Sequence, residues 1–454
     1  MNPETEGEGP SAPAPDKPRG TAWMPNRERL KYWTGKIGHF GMWQIAFQGL
    51  QMITGLLLAN WLSIEAYSKY GVALSFQNML NILTDLGITG SIIALVGDRI
   101  HDRELVGRFT AAALSFRNVM LLTVGPLSAV GFFWLARSHH WPLGESISLL
   151  LSIFGFLFFQ GWTACYTSPL VMHVKVGPLY RPGVILNVAK LLACGVLHIF
   201  SALGAAAVCW INALSAFFNG LVYRRSARPY VDESAVPDAE TKRAMRKYVS
   251  PLILGTVFYA FQGQIQVLLI TVFGKNRSIA EITALGRFSQ LFLVLLSFNG
   301  TVLFPFIARV PFSRLAVRFI QAVAFTVAMA AALTAVGFIF PGAFLWLLGS
   351  KYAGLHRELG MSILVSSVGF LNGALYGLNN ARKWVYHWSG TANVVGVIAI
   401  QAVLIAVMDL STTYSVIVFS LVASAYSTII LFATAIHGYR RDRAEMMKAA
   451  PAQG

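Results

Sequence analysis

Charge is scarce in this chain. Lys, Arg, Asp and Glu make up 12% of its 454 residues, while 55% are hydrophobic; soluble domains carry about 25% charged residues. That balance, with a mean hydropathy of +0.58, excludes a water-soluble globule and leaves a membrane protein. Cysteine is scarce too. Cys165, Cys194 and Cys209 each fall inside an apolar run, which excludes a disulfide framework and a CxxC metal or redox motif. The chain has no GxxxxGK[ST], GxSxG or HExxH, so the common nucleotide, acyl-transfer and zinc-hydrolase signatures are missing. The nearest approach to a catalytic cluster is His139, His140 and Glu145 in "ARSHHWPLGES". Beside Trp141, in a short loop between apolar runs, they read as an interfacial feature. Neither an enzyme nor a cofactor is expected.

What is present is apolar length. Runs long enough to cross a bilayer, about 20 residues, recur at roughly 39–63, 70–97, 107–136, 146–172, 177–200, 205–223, 248–273, 279–308, 315–340, 358–381, 385–408 and 412–437. An all-α integral membrane protein of twelve helices is predicted. Residues 1–38, rich in Pro, Gly and Glu and then basic, are expected to form a disordered cytoplasmic tail, and residues 438–454 a second tail. The net charge of +16 points to nucleic acid only if a basic folded domain carries it, and none is visible. The Lys and Arg instead alternate by loop. With the N-terminus inside, cytoplasmic segments hold 27 of the 36 and the opposite loops 6. That asymmetry is the positive-inside pattern, with both termini cytoplasmic and the excess facing anionic lipid.

The chain also repeats. "AFQG" at 46–49 returns at 260–263, and "LSAVGF" at 127–132 is echoed by "LTAVGF" at 333–338. The first six helices, 39–223, therefore answer to the last six, 248–437, with the basic stretch 224–247 as linker. An even repeat gives both six-helix bundles one orientation, related by a pseudo-two-fold axis along the membrane normal. A groove between such halves is the expected substrate site.

Ionisable groups inside a bilayer cost about 2.5–3.5 kcal/mol each and so tend to face such a cavity. Only Asp85, Arg117, Lys190 and Arg287 lie deep within the runs. Helical rise puts Lys190 roughly 20 Å and Arg117 roughly 15 Å from their cytoplasmic ends, and Arg287 roughly 12 Å from its outer end. Asp85 is expected near mid-span, either as a coupling carboxylate or as the counter-ion of a cation on another helix. Asn187, Asn299 and Gln264, with Asn372, Asn393 and Gln266, are candidates for bonding sugar hydroxyls, or for holding helices together. Pro126, Pro169 and Pro305 predict kinks.

The segment "LLLANWLSIEAYSKYGVALSFQNMLNILTDLGITGSI" resembles the first-to-second helix region of Wzx-type polysaccharide (O-antigen) flippases. These are members of the multidrug/oligosaccharidyl-lipid/polysaccharide (MOP) exporter superfamily. The resemblance rests on an acidic-x-tyrosine-glycine word followed by an apolar helix carrying "DLG", at Glu65, Tyr67, Tyr70, Gly71, Asp85, Leu86 and Gly87. Ser68 and Lys69 lengthen the usual spacing of that word. Twelve helices, cytoplasmic termini, a six-plus-six repeat and a basic mid-loop agree over roughly residues 30 to 440.

The resemblance implies a MOP/MATE-like pair of six-helix bundles around a cationic cavity, in the inner membrane of a bacterium. It implies export of a lipid-linked oligosaccharide of the undecaprenyl-diphosphate type from the cytoplasmic to the outer leaflet, for surface or exopolysaccharide biosynthesis. Arg117, Lys190 and Arg287 would then receive diphosphate, with Asn187, Asn299 and Gln264 on sugar and Asp85 as coupling group or counter-ion. Membrane lipids, a polysaccharide polymerase, and H+ or Na+ for coupling are the other partners it suggests. The chief alternative is a drug or organic-cation antiporter of the same superfamily, whose cavity needs acidic groups. A major-facilitator transporter is disfavoured because "GDRIHDRELVGR" has His101 where its loop motif requires Asp.

Overall fold

The computed structural model describes residues 26–173 and 176–449, all of whose regular structure is helical. The chain divides into two compact units, residues 1–42 and 43–454. The first holds the beginning of α1 (Asn26–Trp61), and all packing considered below belongs to the second. The remaining long helices are α2 (Ile64–Val96), α3 (Arg103–Ser138), α4 (Leu143–Met172), α5 (Val176–Ile199) and α6 (Ala205–Ala227). There follow α7, a bent pair Ala239–Gln262 and Ile265–Phe273, then α8 (Asn276–Arg309), α9 (Phe312–Ile339), α10 (His356–Ala381), α11 (His387–Val407) and α12 (Thr413–Ala449).

Ten of these are individually long and apolar enough to cross a membrane, and α7, bent by 53°, makes an eleventh. The twelfth expected run, 39–63, falls on α1, 36 residues long, which does not reach that apolar length, so ten or eleven spans are found among the described residues where twelve were expected. Helices prevail because hydrocarbon offers no partner for a free backbone N–H or C=O. The outward apolar side chains fit the same solvent: Leu122, Leu127 and Ile199 are each at least 75% exposed. The tail expected over 1–38 lies outside the described residues as far as residue 25. Residues 26–38 are already helical, a correction to that expectation. Residues 450–454 also lie outside the described residues, and α12 carries the chain helically as far as Ala449.

The repeat is visible in the packing. Helix α4 packs on α3 and α6, and α10 packs on α9 and α12; α5 lies on α6 as α11 lies on α12. The halves meet where α2 runs along α7 and the first part of α8. Close approach there depends on Gly71: a Cβ at that position would lie 2.8 Å from Thr283 Cγ2 on α8.

Two spans are broken, and both breaks matter below. In α2 the helix stops at Asp85, passes through Leu86 (φ 45°) and Gly87 (φ 82°) in the left-handed region, and restarts at Ile88. A leucine there costs about 1–2 kcal/mol, whereas glycine does not. In α7 the first half-helix ends at Gln262 and the second starts at Ile265. Pitch also changes inside α8, with a 3-10 turn at Gly286–Phe288 and a π-helical turn at Asn299–Leu303, just before Pro305.

Candidate functional site

A chamber of about 930 Å³ lies between the halves, at the upper end of the range for ligand cavities. Its walls come from α1, α2, α4, α5 and α6 on one side and from α7, α8, α10 and α12 on the other. The lining is polar for an intramembrane space. It includes eleven Asn or Gln and ten Ser or Thr residues, two cations, Lys190 and Arg287, and not one Asp or Glu among the described residues.

The break in α7 supplies part of that polarity. Gln262, Gly263, Gln264 and Gln266 border the chamber there, and the half-helix Ile265–Phe273 begins at its wall without a side-chain cap. Unbonded backbone N–H groups at such an N-terminus favour negative charge. The break is buttressed from behind, since Gln401 Nε2 donates to Gln262 Oε1 at 2.9 Å and Asn393 Nδ2 to Tyr259 Oη at 3.3 Å.

The two cations are held differently. Lys190, on α5, has no hydrogen bond or ion pair among the described residues and stands beside Asn187 on the chamber wall. Asn187 itself donates to the Gly183 carbonyl at 2.8 Å. Arg287 lies across the interface between the halves. Its Nε donates to Tyr67 Oη at 3.2 Å, its guanidinium carbon lies 5.5 Å from the Tyr70 ring centre, and its Nη2 has no partner. Tyr67 and Tyr70 are 0% and 2% exposed.

The expected residues do not all share this chamber. Lys190, Arg287, Asn187 and Gln264 line it, and so does Gln266. Arg117 does not, which corrects the expectation of a three-cation cavity. Its helix, α3, packs behind α2 and α4 and contributes nothing to the lining. Instead Arg117, 3% exposed, pairs with Asp85 and donates through Nη2 to Asn81 Oδ1 at 3.1 Å. Asp85 is the last residue before the break in α2 and also accepts from the Thr89 hydroxyl beyond it. The carboxylate thereby sits at the start of the half-helix Ile88–Val96, where negative charge is favoured, and its side chain spans the interruption. These groups border a separate pocket of about 420 Å³. Asp85 is therefore close to the end of a half-helix, not in the middle of a continuous span.

Asn299 is a second correction. It is fully buried at the π-helical turn, off the chamber lining, with neither amide atom bonded. Gln290, which does line the chamber, precedes it by two and a half turns of the same helix, so the two occupy opposite faces. Asn372 donates to the Ser424 carbonyl at 3.0 Å as a helix tie. The loop pair resolves the same way: His139 Nε2 lies 2.7 Å from the Thr271 carbonyl, and Glu145 bonds Lys69 at 2.7 Å. Free Cys165, Cys194 and Cys209 are buried.

With this geometry established, the comparisons decide the family. The family model described as polysaccharide biosynthesis protein matches residues 35–310. The chain belongs to the polysaccharide biosynthesis protein family. Among curated proteins none matches in sequence. Solved structures share the fold of this family member at low identity. An inward-facing multidrug resistance MATE family transporter of the MOP superfamily superposes with a TM-score of 0.65 at 13% identity, over 90% of this chain and 96% of that one. The lipid II flippase MurJ in an inward closed conformation gives 0.60 at 13%, over 88% of each chain. A MOP superfamily transporter from Pyrococcus furiosus, whose binding pocket is described as reversed in polarity, gives 0.61 at 12%, over 90% and 95%. The fold is thus that of MOP superfamily transporters, and this family member is a multi-pass membrane protein.

Several site residues escape sequence reasoning. Tyr67 and Tyr70 stand in the quoted acidic-tyrosine-glycine word, yet nothing in that word assigns them to Arg287, 220 positions away from Tyr67. Gln51, Gln77 and Gln160 reach the chamber from three helices; an isolated polar residue in an apolar run is their only signal.

Proposed function

We propose that this protein is a transporter that turns a lipid-diphosphate-linked oligosaccharide from the cytoplasmic to the outer leaflet of a bacterial inner membrane, both termini lying in the cytoplasm. One observation carries the reading: a chamber between the halves, rich in amides and hydroxyls, whose two charged residues are Lys190 and Arg287 and which lacks a carboxylate among its described residues. A glycan and a diphosphate cannot enter hydrocarbon unaided, because unpaired polar groups and charges are too costly there. Amides and hydroxyls match sugar hydroxyls, Lys190 offers a point charge, and Arg287 offers a planar fork to phosphate oxygens. The lipid tail stays in the bilayer. An inside-negative potential favours the outward movement of two negative charges by about 4.6 kcal/mol per 100 mV, which helps drive export without ATP.

Asp85 is proposed as the counter-ion of Arg117, and the pair as a brace across the break in α2. The antiporter alternative is disfavoured by the same lining, since an organic cation would meet two like charges and no carboxylate. No enzymatic step is proposed.

Deleting the gene and locating lipid-linked oligosaccharide by leaflet tests the assignment. Accumulation on the cytoplasmic face is expected. Normal surface glycan together with new sensitivity to cationic drugs would replace this reading by the antiporter.

A further inference from the structure

Arg287 performs a task besides lining the chamber. It belongs to the second half, yet its guanidinium bonds Tyr67, stacks near Tyr70 and lies along the close wall at Gly55, where a Cβ would lie 3.0 Å from Nε, all in the first. Around it the halves are sealed on the side of the α1–α2 connection. Tyr67 packs edge-on against Tyr352, ring centres 6.5 Å apart. Lys351 Nζ, next to Tyr352, donates to the carbonyls of Asn60 and Leu62 at 2.7 Å each. By the topology proposed above, this is the outer end.

The stereochemistry of the guanidinium links seal and chamber. Its Nε and Nη2 hydrogens lie on one edge and form the fork that grips an oxyanion with two parallel bonds. In this structure Nε is spent on the Tyr67 hydroxyl while Nη2 is buried and unbonded. One prong is thus occupied by a neutral phenol and the other is empty. A phosphate on that edge would have to take Nε from Tyr67, and in return the guanidinium makes two parallel bonds to an oxyanion where it makes one to the phenol. The residue sits on the 3-10 turn Gly286–Phe288 and borders the chamber directly.

We infer that Arg287 is a ligand-released tie: phosphate oxygens captured on its Nε and Nη2 edge detach it from Tyr67 and Tyr70, and the outer seal opens only when a phosphorylated headgroup fills the chamber. The inference rests on the proposed reading of the chamber as an anionic-headgroup site. In empty protein Tyr67 and Tyr70 hold the guanidinium and so add the releasable part of a seal that Lys351 and Tyr352 also close. Loaded protein loses that hold through the same contact that binds its cargo.

The test uses the full chain in lipid nanodiscs, spin-labelled at Ser138→Cys and Ala353→Cys, exposed positions on opposite halves at the sealed end. The native cysteines are buried and leave the labels distinct. Pulsed electron paramagnetic resonance reads the distance between labels. The probes are undecaprenyl diphosphate, undecaprenol, and inorganic pyrophosphate, with binding followed separately by native mass spectrometry. Undecaprenyl diphosphate is expected to add a long-distance population and undecaprenol none. Opening by pyrophosphate as well shows that the oxyanion suffices; opening by the lipid diphosphate alone shows that the tail must also be docked, and both outcomes support a tie released by phosphate. Tyr67→Phe is expected to show the long-distance population without any probe and to bind undecaprenyl diphosphate several-fold more tightly. Arg287→Gln is expected to open without a probe and to bind it at least tenfold more weakly. Binding that leaves the distances unchanged, or a Tyr67→Phe protein as closed as the parent, overturns the tie while the flippase assignment stands. Failure of the parent protein to bind either phosphate probe overturns both.

Discussion

Asp85→Asn keeps the volume of the side chain and removes its charge, leaving the Arg117 guanidinium without its ion partner. Arg117 is 3% exposed and its Nε is already unbonded, so after the substitution its one strong contact is Asn81 Oδ1 at 3.1 Å. Removing one partner of a fully buried pair costs about 3–5 kcal/mol. Asp85, however, is 26% exposed and borders an open pocket of about 420 Å³, so water relieves part of that cost and about 2 kcal/mol is the expected loss. The converse change, Arg117→Gln, leaves the better hydrated member behind and should cost less, about 1 kcal/mol. Because the pair also spans the break in α2, the double variant should recover about 1–2 kcal/mol relative to the sum of the singles. Thermal unfolding of the purified protein in detergent reads all three. Strictly additive losses would refute the brace. The flux of surviving Asp85→Asn protein should keep the parent's pH profile; a profile that flattens would give Asp85 a coupled proton instead.

Three further outcomes are expected. Lys190→Ala removes a charge-assisted contact of about 1.5–3 kcal/mol, so affinity for undecaprenyl diphosphate by titration should fall about 10- to 150-fold, while unfolding temperature rises or holds, because Lys190 has no partner to lose among the described residues. Gly71→Ala pushes a methyl onto Thr283 and should destabilise by about 1–3 kcal/mol, with partial recovery in Gly71→Ala/Thr283→Ala; full tolerance of the single change would show that the halves do not meet this closely. In the linker, hydrogen bonds from Arg224 hold the Glu233 carboxyl below its ordinary value. A depressed value stabilises the folded loop above the ordinary glutamate range and loses that contribution as pH falls through it. Hydrogen exchange at residues 228–238 should therefore accelerate progressively as pH falls below the ordinary glutamate range, and Glu233→Gln should remove the dependence.

Most spans and their approximate boundaries were legible because lipid permits few alternatives to a helix, and apolar length reports them directly; the first run overstated the count, because α1 is less apolar than the others. The break in α7 also left a trace, since Gln262, Gly263, Gln264 and Gln266 interrupt an apolar run. That in α2 left less: only Gly87 announces left-handed backbone, and Leu86 accepts it against its own preference. Arg117 shows where single-sequence reasoning stops. Depth in the bilayer was readable from its distance to the loops, but its neighbour depends on which way α3 faces, and its partner Asp85 lies on another helix. Asn299 was recoverable in principle from its phase relative to Gln290 on α8. Charge asymmetry among loops predicts an orientation, and the lining of the chamber is consistent with the headgroup that orientation would carry outward.

A chamber whose described residues supply two cations and no carboxylate is proposed to receive a lipid diphosphate. The most direct test is transfer of undecaprenyl-diphosphate-linked oligosaccharide between leaflets of proteoliposomes holding the parent protein or Lys190→Glu. Transfer by the parent is expected, accelerated by a potential negative on the cytoplasmic side, with loss of transfer when Lys190 becomes a carboxylate. Equal transfer by both proteins, or transfer of an organic cation by the parent in place of the glycolipid, would contradict it.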